Sequence, residues 1–99
     1  FPPLLKDLAL VVDAAVAAED VRLAVEQSAE KAVGMQFIVD PVTIFDVFAG
    51  EGVGEDKKSV ACAIRFRSDD RTLEDKEVNA AFEETQRILA ETTDFTLRS

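Results

Sequence analysis

Arg65 and Arg67, set two residues apart, are the side chains of this sequence best placed for chemistry with a partner. They lie in the stretch Lys57 to Leu73, which reads Lys-Lys-Ser-Val-Ala-Cys-Ala-Ile-Arg-Phe-Arg-Ser-Asp-Asp-Arg-Thr-Leu. Successive side chains of a strand alternate across its plane, so period two divides the stretch. Val60, Cys62, Ile64 and Phe66 share an apolar face; Ser59, Ala61, Ala63, Arg65 and Arg67 share a small, basic one. Five bases (Lys57, Lys58, Arg65, Arg67, Arg71) meet two acids (Asp69, Asp70) between residues 57 and 71. The chain as a whole has a net charge of −9, so this face is the part expected to meet a partner. The plainer alternative is that the arginines merely keep an exposed strand soluble.

Other chemistry is poorly supplied. There is no His, Tyr or Trp, so the commonest general base and metal ligand is missing. No catalytic residue, cofactor site or metal site is expected. Cys62 is the single cysteine and falls on the apolar side of its strand. It reads as a buried residue in a reducing compartment rather than a nucleophile. The charge of −9 argues against broad, non-specific nucleic-acid binding, which depends on clustered Lys and Arg. No apolar run reaches the roughly 20 residues that cross a bilayer, and no leader suggests secretion. Phe1 rather than Met at the start suits a piece of a longer protein.

The elements that position the basic strand follow from periodicity. With 99 residues, of which 47% are hydrophobic, residues 1–99 are expected to form one domain. Phe1-Pro2-Pro3 is an extended lead-in, and Lys6 to Val12 is a strand apolar on both faces, suited to the middle of a sheet. A helix is predicted from about Ala18 to Val33, with a stripe of Val21, Ala24, Val25, Ser28, Ala29, Ala32 and Val33. Glu19 and Asp20 suit its start, Lys31 its end and Gly34 its stop, although its start has no preferred cap. Met35 to Val39 is a short extended piece, interrupted at Pro41. Val42 to Phe48 is an edge strand, read as Val42, Ile44, Asp46 and Phe48 on one face and Thr43, Phe45 and Val47 on the other. Gly50-Glu51-Gly52-Val53-Gly54-Glu55-Asp56 turns it back into the basic strand as a hairpin. Its order, Gly-x-Gly-x-Gly among acids with no following helix, is not a phosphate-binding loop.

A second helix is predicted from about Asp75 to Thr92, buried through Val78, Ala81, Phe82, Thr85, Ile88, Leu89 and Thr92. Thr72 or Glu74 is its cap, Glu74 with Glu77 making a poor capping box. Phe95 to Arg98 closes the chain as a short strand. The order is strand, helix, strand, strand, helix, strand. This predicts an α+β, ferredoxin-like βαββαβ sandwich: a four-stranded antiparallel sheet with both helices on one face. Ser59, Ala61, Ala63, Arg65, Arg67, Thr96 and Arg98 then line the uncovered face, with Ala9 and Val11 between them. A bulge near Pro41 would invert the parity of the edge strand.

The same residues resemble a known family. Phe1-Pro2 with Lys6-Asp7-Leu8-Ala9, then Ile44-Phe45-Asp46-Val47-Phe48, fall in order. Gly50, Gly54, Lys57-Lys58-Ser59, Arg71-Thr72-Leu73, Asp75, Glu77-Val78-Asn79 and Leu97-Arg98 follow. Together they are similar to the ferredoxin-fold anticodon-binding domain that closes the beta chain of bacterial phenylalanine–tRNA ligase, and they cover nearly the whole chain. The resemblance implies contact with the anticodon stem and loop of phenylalanine tRNA. It implies a cytoplasmic parent that uses ATP and Mg²⁺ and is a tetramer of two alpha and two beta chains, with catalysis outside this domain. Phe48 stands where the family usually has Tyr, and Ala63 where members often carry Arg or another polar residue.

Under that resemblance Arg65 and Arg67 become RNA contacts, since unstacked loop bases are read by aromatic or guanidinium platforms. Lys57 and Lys58 at the hairpin mouth suit phosphate, Arg98 lies on the same open face, and Phe45 is either a stacking platform or core. Structural roles compete elsewhere: Arg71 as a tie from strand to helix, Asp46 as an anchor for Lys58. Two rivals remain. A ferredoxin-like regulatory module binding a small molecule such as an amino acid would use the glycine turn. An acylphosphatase-like enzyme would want an Arg loop after the first strand, where Asp13-Ala14-Ala15 stands.

Overall fold

Pairing lengthens the central strands beyond what periodicity indicates. In the computed structural model, which describes residues 1–50 and 52–98, β1 runs over Leu4–Asp13 and β4 over Lys57–Arg67. The two lie antiparallel in unbroken register from Leu4 opposite Phe66 to Asp13 opposite Lys57. Glu51, which belongs to the stretch expected to turn the hairpin, and Ser99 lie outside the described residues.

Both helices sit where their apolar stripes place them. The first, α1 (Ala18–Val33), buries Val21, Val25, Ser28, Ala29 and Val33. Its N-cap, Ala17, offers no side-chain bond, and Glu19 and Asp20 in the first turn favour the positive end instead. Gly34 stops it at φ 56°, donating its N–H to the Glu30 carbonyl at 3.1 Å. The second, α2 (Asp75–Thr92), starts at Glu74, whose N–H donates to the Glu77 carboxylate at 2.8 Å. Glu77 also accepts from Arg71 (2.6 and 2.8 Å), so Arg71 does tie the end of the basic stretch to the helix.

The edge strand differs from expectation in two ways. It is split, making five strand segments among the described residues rather than four: β2 (Ile38–Val39) pairs with Arg67 and Phe66, and β3 (Thr43–Phe48) with Ala63 to Ser59. Pro41 has no N–H to give the ladder. The backbone of the gap is served otherwise: Asp40 N–H donates to the Arg65 carbonyl at 3.0 Å, Val42 N–H to Glu26 at 2.8 Å, and Arg22 Nη1 to the Val42 carbonyl at 3.1 Å. The second difference is a bulge inside β3. Ile44 faces Cys62 and Asp46 faces Ala61, which leaves Phe45 as the extra residue. Beyond it the parity reverses: Val47 shares the face of Val60, while Asp46 and Phe48 join the opposite face with Ala61 and Ser59. The expected grouping of Ile44 with Asp46 and Phe48 is thereby overturned, as is an Asp46–Lys58 anchor, since Lys58 pairs with Val12 on the other side.

With β5 (Thr96–Leu97) beside β1, the strand order is β3–β4–β1–β5, with β2 on the far half of the β4 edge. Leu8, Leu10, Val12, Val60, Cys62, Ile64 and Phe66 form one core with Val21, Val25, Ala29, Val33, Val78, Ala81 and Leu89. Both helices therefore cover the same sheet face, as the crossovers require. Phe37 meets Phe66 edge-to-face at 6.0 Å and closes that core near β2.

Candidate nucleic-acid interface

The face away from the helices follows from register. Across the sheet its rows are Phe48–Ser59–Val11–Thr96, Asp46–Ala61–Ala9, Thr43–Ala63–Asp7 and Arg65–Leu5. The floor is mostly small or apolar, and charges stand at intervals around it. Lys57, Arg65, Arg67 and Arg98 are its bases; Asp7, Asp13, Asp40 and Asp46 are its acids. These eight charges balance and Asp69, which meets Arg67 at the rim, adds one acid, so nearly all of the acid excess lies elsewhere, on the helices, turns and termini.

Arg65 and Arg67 project from this face, as their parity requires, but they are not free. Asp40, which the sequence marks only as the residue before Pro41, sets one carboxylate oxygen 2.7 Å from Arg67 Nε and the other 3.2 Å from Arg65 Nε. Arg67 also donates to Asp69. Its guanidinium consequently holds its proton more tightly than usual, with Asp40 the main cause. Arg65 is the more open of the two, 55% exposed against 35%.

The opposite end of the face has a different construction. Phe48 and Arg98 approach each other above the small residues between their strands, with the Arg98 guanidinium carbon 5.5 Å from the ring centroid. Ser59, which lies between them in the ladder, is only 4% exposed. The hairpin turn closes over the same end: Val53 is buried, and a Cβ on Gly52 would stand 3.7 Å from Arg98 Nη2. Gly52 and Gly54 hold φ of 91° and 96°, conformations that a side chain would strain. Glycines here shape a turn rather than cradle an anion. The uncovered face is thus open over β1 and the middle of β4, and roofed at its hairpin end.

The remaining named residues are dispersed. Lys57 lies on the open side, bonded to Asp13, which raises its ammonium pKa. Lys58 is its neighbour in sequence yet points to the helix side, opposite Val12, so the two lysines do not form one patch. Phe45 sits on the bulge, 59% exposed, and is not core. Cys62 is fully buried in the core on the helix side of the sheet, and loss of solvent pushes its thiol up to about 11, which suits a packing residue.

Sequence reasoning misses Asp40 and Phe48 as members of the site. Asp40 lies 25 positions before Arg65 and carries no signal beyond its neighbour Pro41. Phe48 stands out in the sequence only for its lack of a hydroxyl, because the bulge that turns it outward is a property of pairing.

Comparison with known proteins agrees with this architecture. Residues 1–98 match the family model described as a ferredoxin-fold anticodon binding domain. The chain is 48% identical over 81 residues to the phenylalanine–tRNA ligase beta subunit of Corynebacterium glutamicum, covering 82% of this chain and 9% of that one. It is 38% identical over 99 residues to the beta subunit of Mycobacterium leprae, covering 100% of this chain and 11% of that one. The beta subunit of Hahella chejuensis is 41% identical over 100 residues, covering 100% and 12%. The chain thus spans about a tenth of the length of these relatives.

Proposed function

The chain belongs to the ferredoxin-fold anticodon-binding domain family, and from that premise we propose that it binds the anticodon stem and loop of phenylalanine tRNA within the beta chain of a phenylalanine–tRNA ligase. In this reading adenylate formation with ATP and Mg²⁺ takes place elsewhere in a cytoplasmic parent built of two alpha and two beta chains. The domain contributes tRNA binding and no bond-making step.

The observation that supports the reading is the distribution of charge and flat groups over two faces. The helix-covered side and the turns hold the acidic excess, which repels a phosphate backbone. The uncovered sheet is close to neutral, with a small apolar floor formed by Leu5, Ala9, Val11, Ala61 and Ala63. Unstacked bases are uncharged and bring π-faces, so they need flat ground and oriented donors rather than a positive field. Arg65 offers donors beside Leu5, and the Phe48–Arg98 pair offers a stacking surface. Lys57 is placed for a phosphate at the rim.

The test is kinetic. Replacing Arg65 and Arg67 together by Ala is expected to raise KM for tRNA in charging about tenfold, equivalent to about 1.4 kcal/mol of lost binding. Amino-acid-dependent exchange of pyrophosphate into ATP is expected to stay near the parent value. Charging that is unchanged in the double variant contradicts the assignment.

A further inference from the structure

We propose that Asp40 acts as a charge filter on this face, restraining Arg65 and Arg67 from general phosphate binding and so favouring recognition of bases over backbone. The inference rests on the tRNA-binding reading above and adds a specificity-determining residue to it.

The geometry is that of one carboxylate shared by two guanidiniums. Asp40 is fastened by its own N–H to the Arg65 carbonyl at 3.0 Å, and the following Pro41 stiffens the bend. Its side chain is 21% exposed and lies 2.7 Å from Arg67 Nε and 3.2 Å from Arg65 Nε. The arginines stand two residues apart on one strand face, so the one anion between them weakens the field of both, while Asp69 meets Arg67 alone, from its outer side. A phosphate approaching either guanidinium meets the carboxylate within a Debye length of about 8 Å. A base edge or base face, being neutral, meets no such opposition.

This matters for discrimination. Phosphate contacts strengthen binding to every RNA and carry no sequence information, whereas base contacts carry it. Removing the carboxylate is expected to release cationic capacity for phosphates, to tighten binding to all RNAs, and to reduce preference. Were Asp40 only a structural brace, its loss would lower stability and weaken all binding without steepening the salt dependence.

The experiment compares the parent ligase with its Asp40→Asn and Asp40→Glu variants. Each is titrated with a phenylalanine tRNA transcript and with a transcript of another tRNA across a series of salt concentrations. For Asp40→Asn the slope of log K against log salt is expected to steepen by about 0.7 for each additional phosphate neutralised. At 0.1 M salt that is about a fivefold rise in affinity for the other tRNA per phosphate. The ratio between the two tRNAs should fall. Asp40→Glu, which keeps the charge, should retain the parent slope. Should Asp40→Asn fail to fold by circular dichroism, Asp40→Ser takes its place with the same expectation. An unchanged slope and ratio, with the parent still preferring phenylalanine tRNA and Arg65→Ala still impaired, overturns the filter and leaves the tRNA reading standing. Weakened binding to both RNAs at an unchanged slope also overturns it. A parent with no preference, indifferent to Arg65→Ala, overturns the tRNA reading itself.

Discussion

Glu77 receives hydrogen bonds from both sides: the Arg71 guanidinium and the backbone N–H of Glu74, at the entrance to α2. Those contacts, Arg71 first, lower its carboxyl to about 2. A carboxylate whose folded pKa is depressed contributes stability above its unfolded pKa and loses it as pH falls. The contribution of Glu77 is therefore complete above 4.5 and disappears as pH approaches about 2. Denaturant midpoints of the parent and Glu77→Gln are expected to differ most at neutral pH and to converge towards pH 2. A gap that stays constant with pH contradicts the account. Arg71 is readable as a structural tie, because it stands just before a helix start that carries Glu74, Asp75 and Glu77; which carboxylate it takes is decided by folding. Asp40 is not readable: its two partners become neighbours only when β2 folds back along β4.

Among the elements, β3 depends most on support from outside its own ladder. The strand begins where Pro41 interrupts pairing, and α1 reaches across to hold both backbone groups of the buried Val42 through Glu26 and Arg22. Glu26→Ala leaves the Val42 N–H without its acceptor, a loss of about 1–3 kcal/mol. Glu19→Ala removes an exposed ion pair to the same arginine and one first-turn charge on α1, each a loss of no more than about 1 kcal/mol, and strands no buried backbone group. Urea unfolding of the two variants is expected to show Glu26→Ala as the weaker protein. Equal midpoints contradict the role given to this latch. The helices can be read closely from sequence, α1 over Ala18–Val33 and α2 over Asp75–Thr92, because a 3.6-residue stripe marks both length and face. Strand parity is equally plain in β4. In β3 it fails at Phe45, since a bulge is decided by which residues find partners, and alternation along one strand does not record that.

At the scale of the molecule, the fold separates charge. A chain of net charge −9 keeps its RNA-facing candidate surface close to neutral and places nearly all of the acidic surplus on the helices, turns and termini. The ferredoxin-like plan is legible from element order alone, and with it the existence of an uncovered sheet face. The covering of its hairpin end by Phe48, Arg98 and the turn is not, because Val53 reads as an ordinary loop residue and is buried only in three dimensions. The claim on which the functional account depends is that RNA meets the uncovered sheet and not the helices. Methyl resonances test it directly, since Ala9, Ala61 and Ala63 lie on that sheet face while Ala80 and Ala90 are exposed on α2. On adding a phenylalanine tRNA anticodon stem-loop, the account predicts shifts at Ala9, Ala61 and Ala63 with Ala80 and Ala90 unmoved. Shifts confined to Ala80 and Ala90 would contradict it.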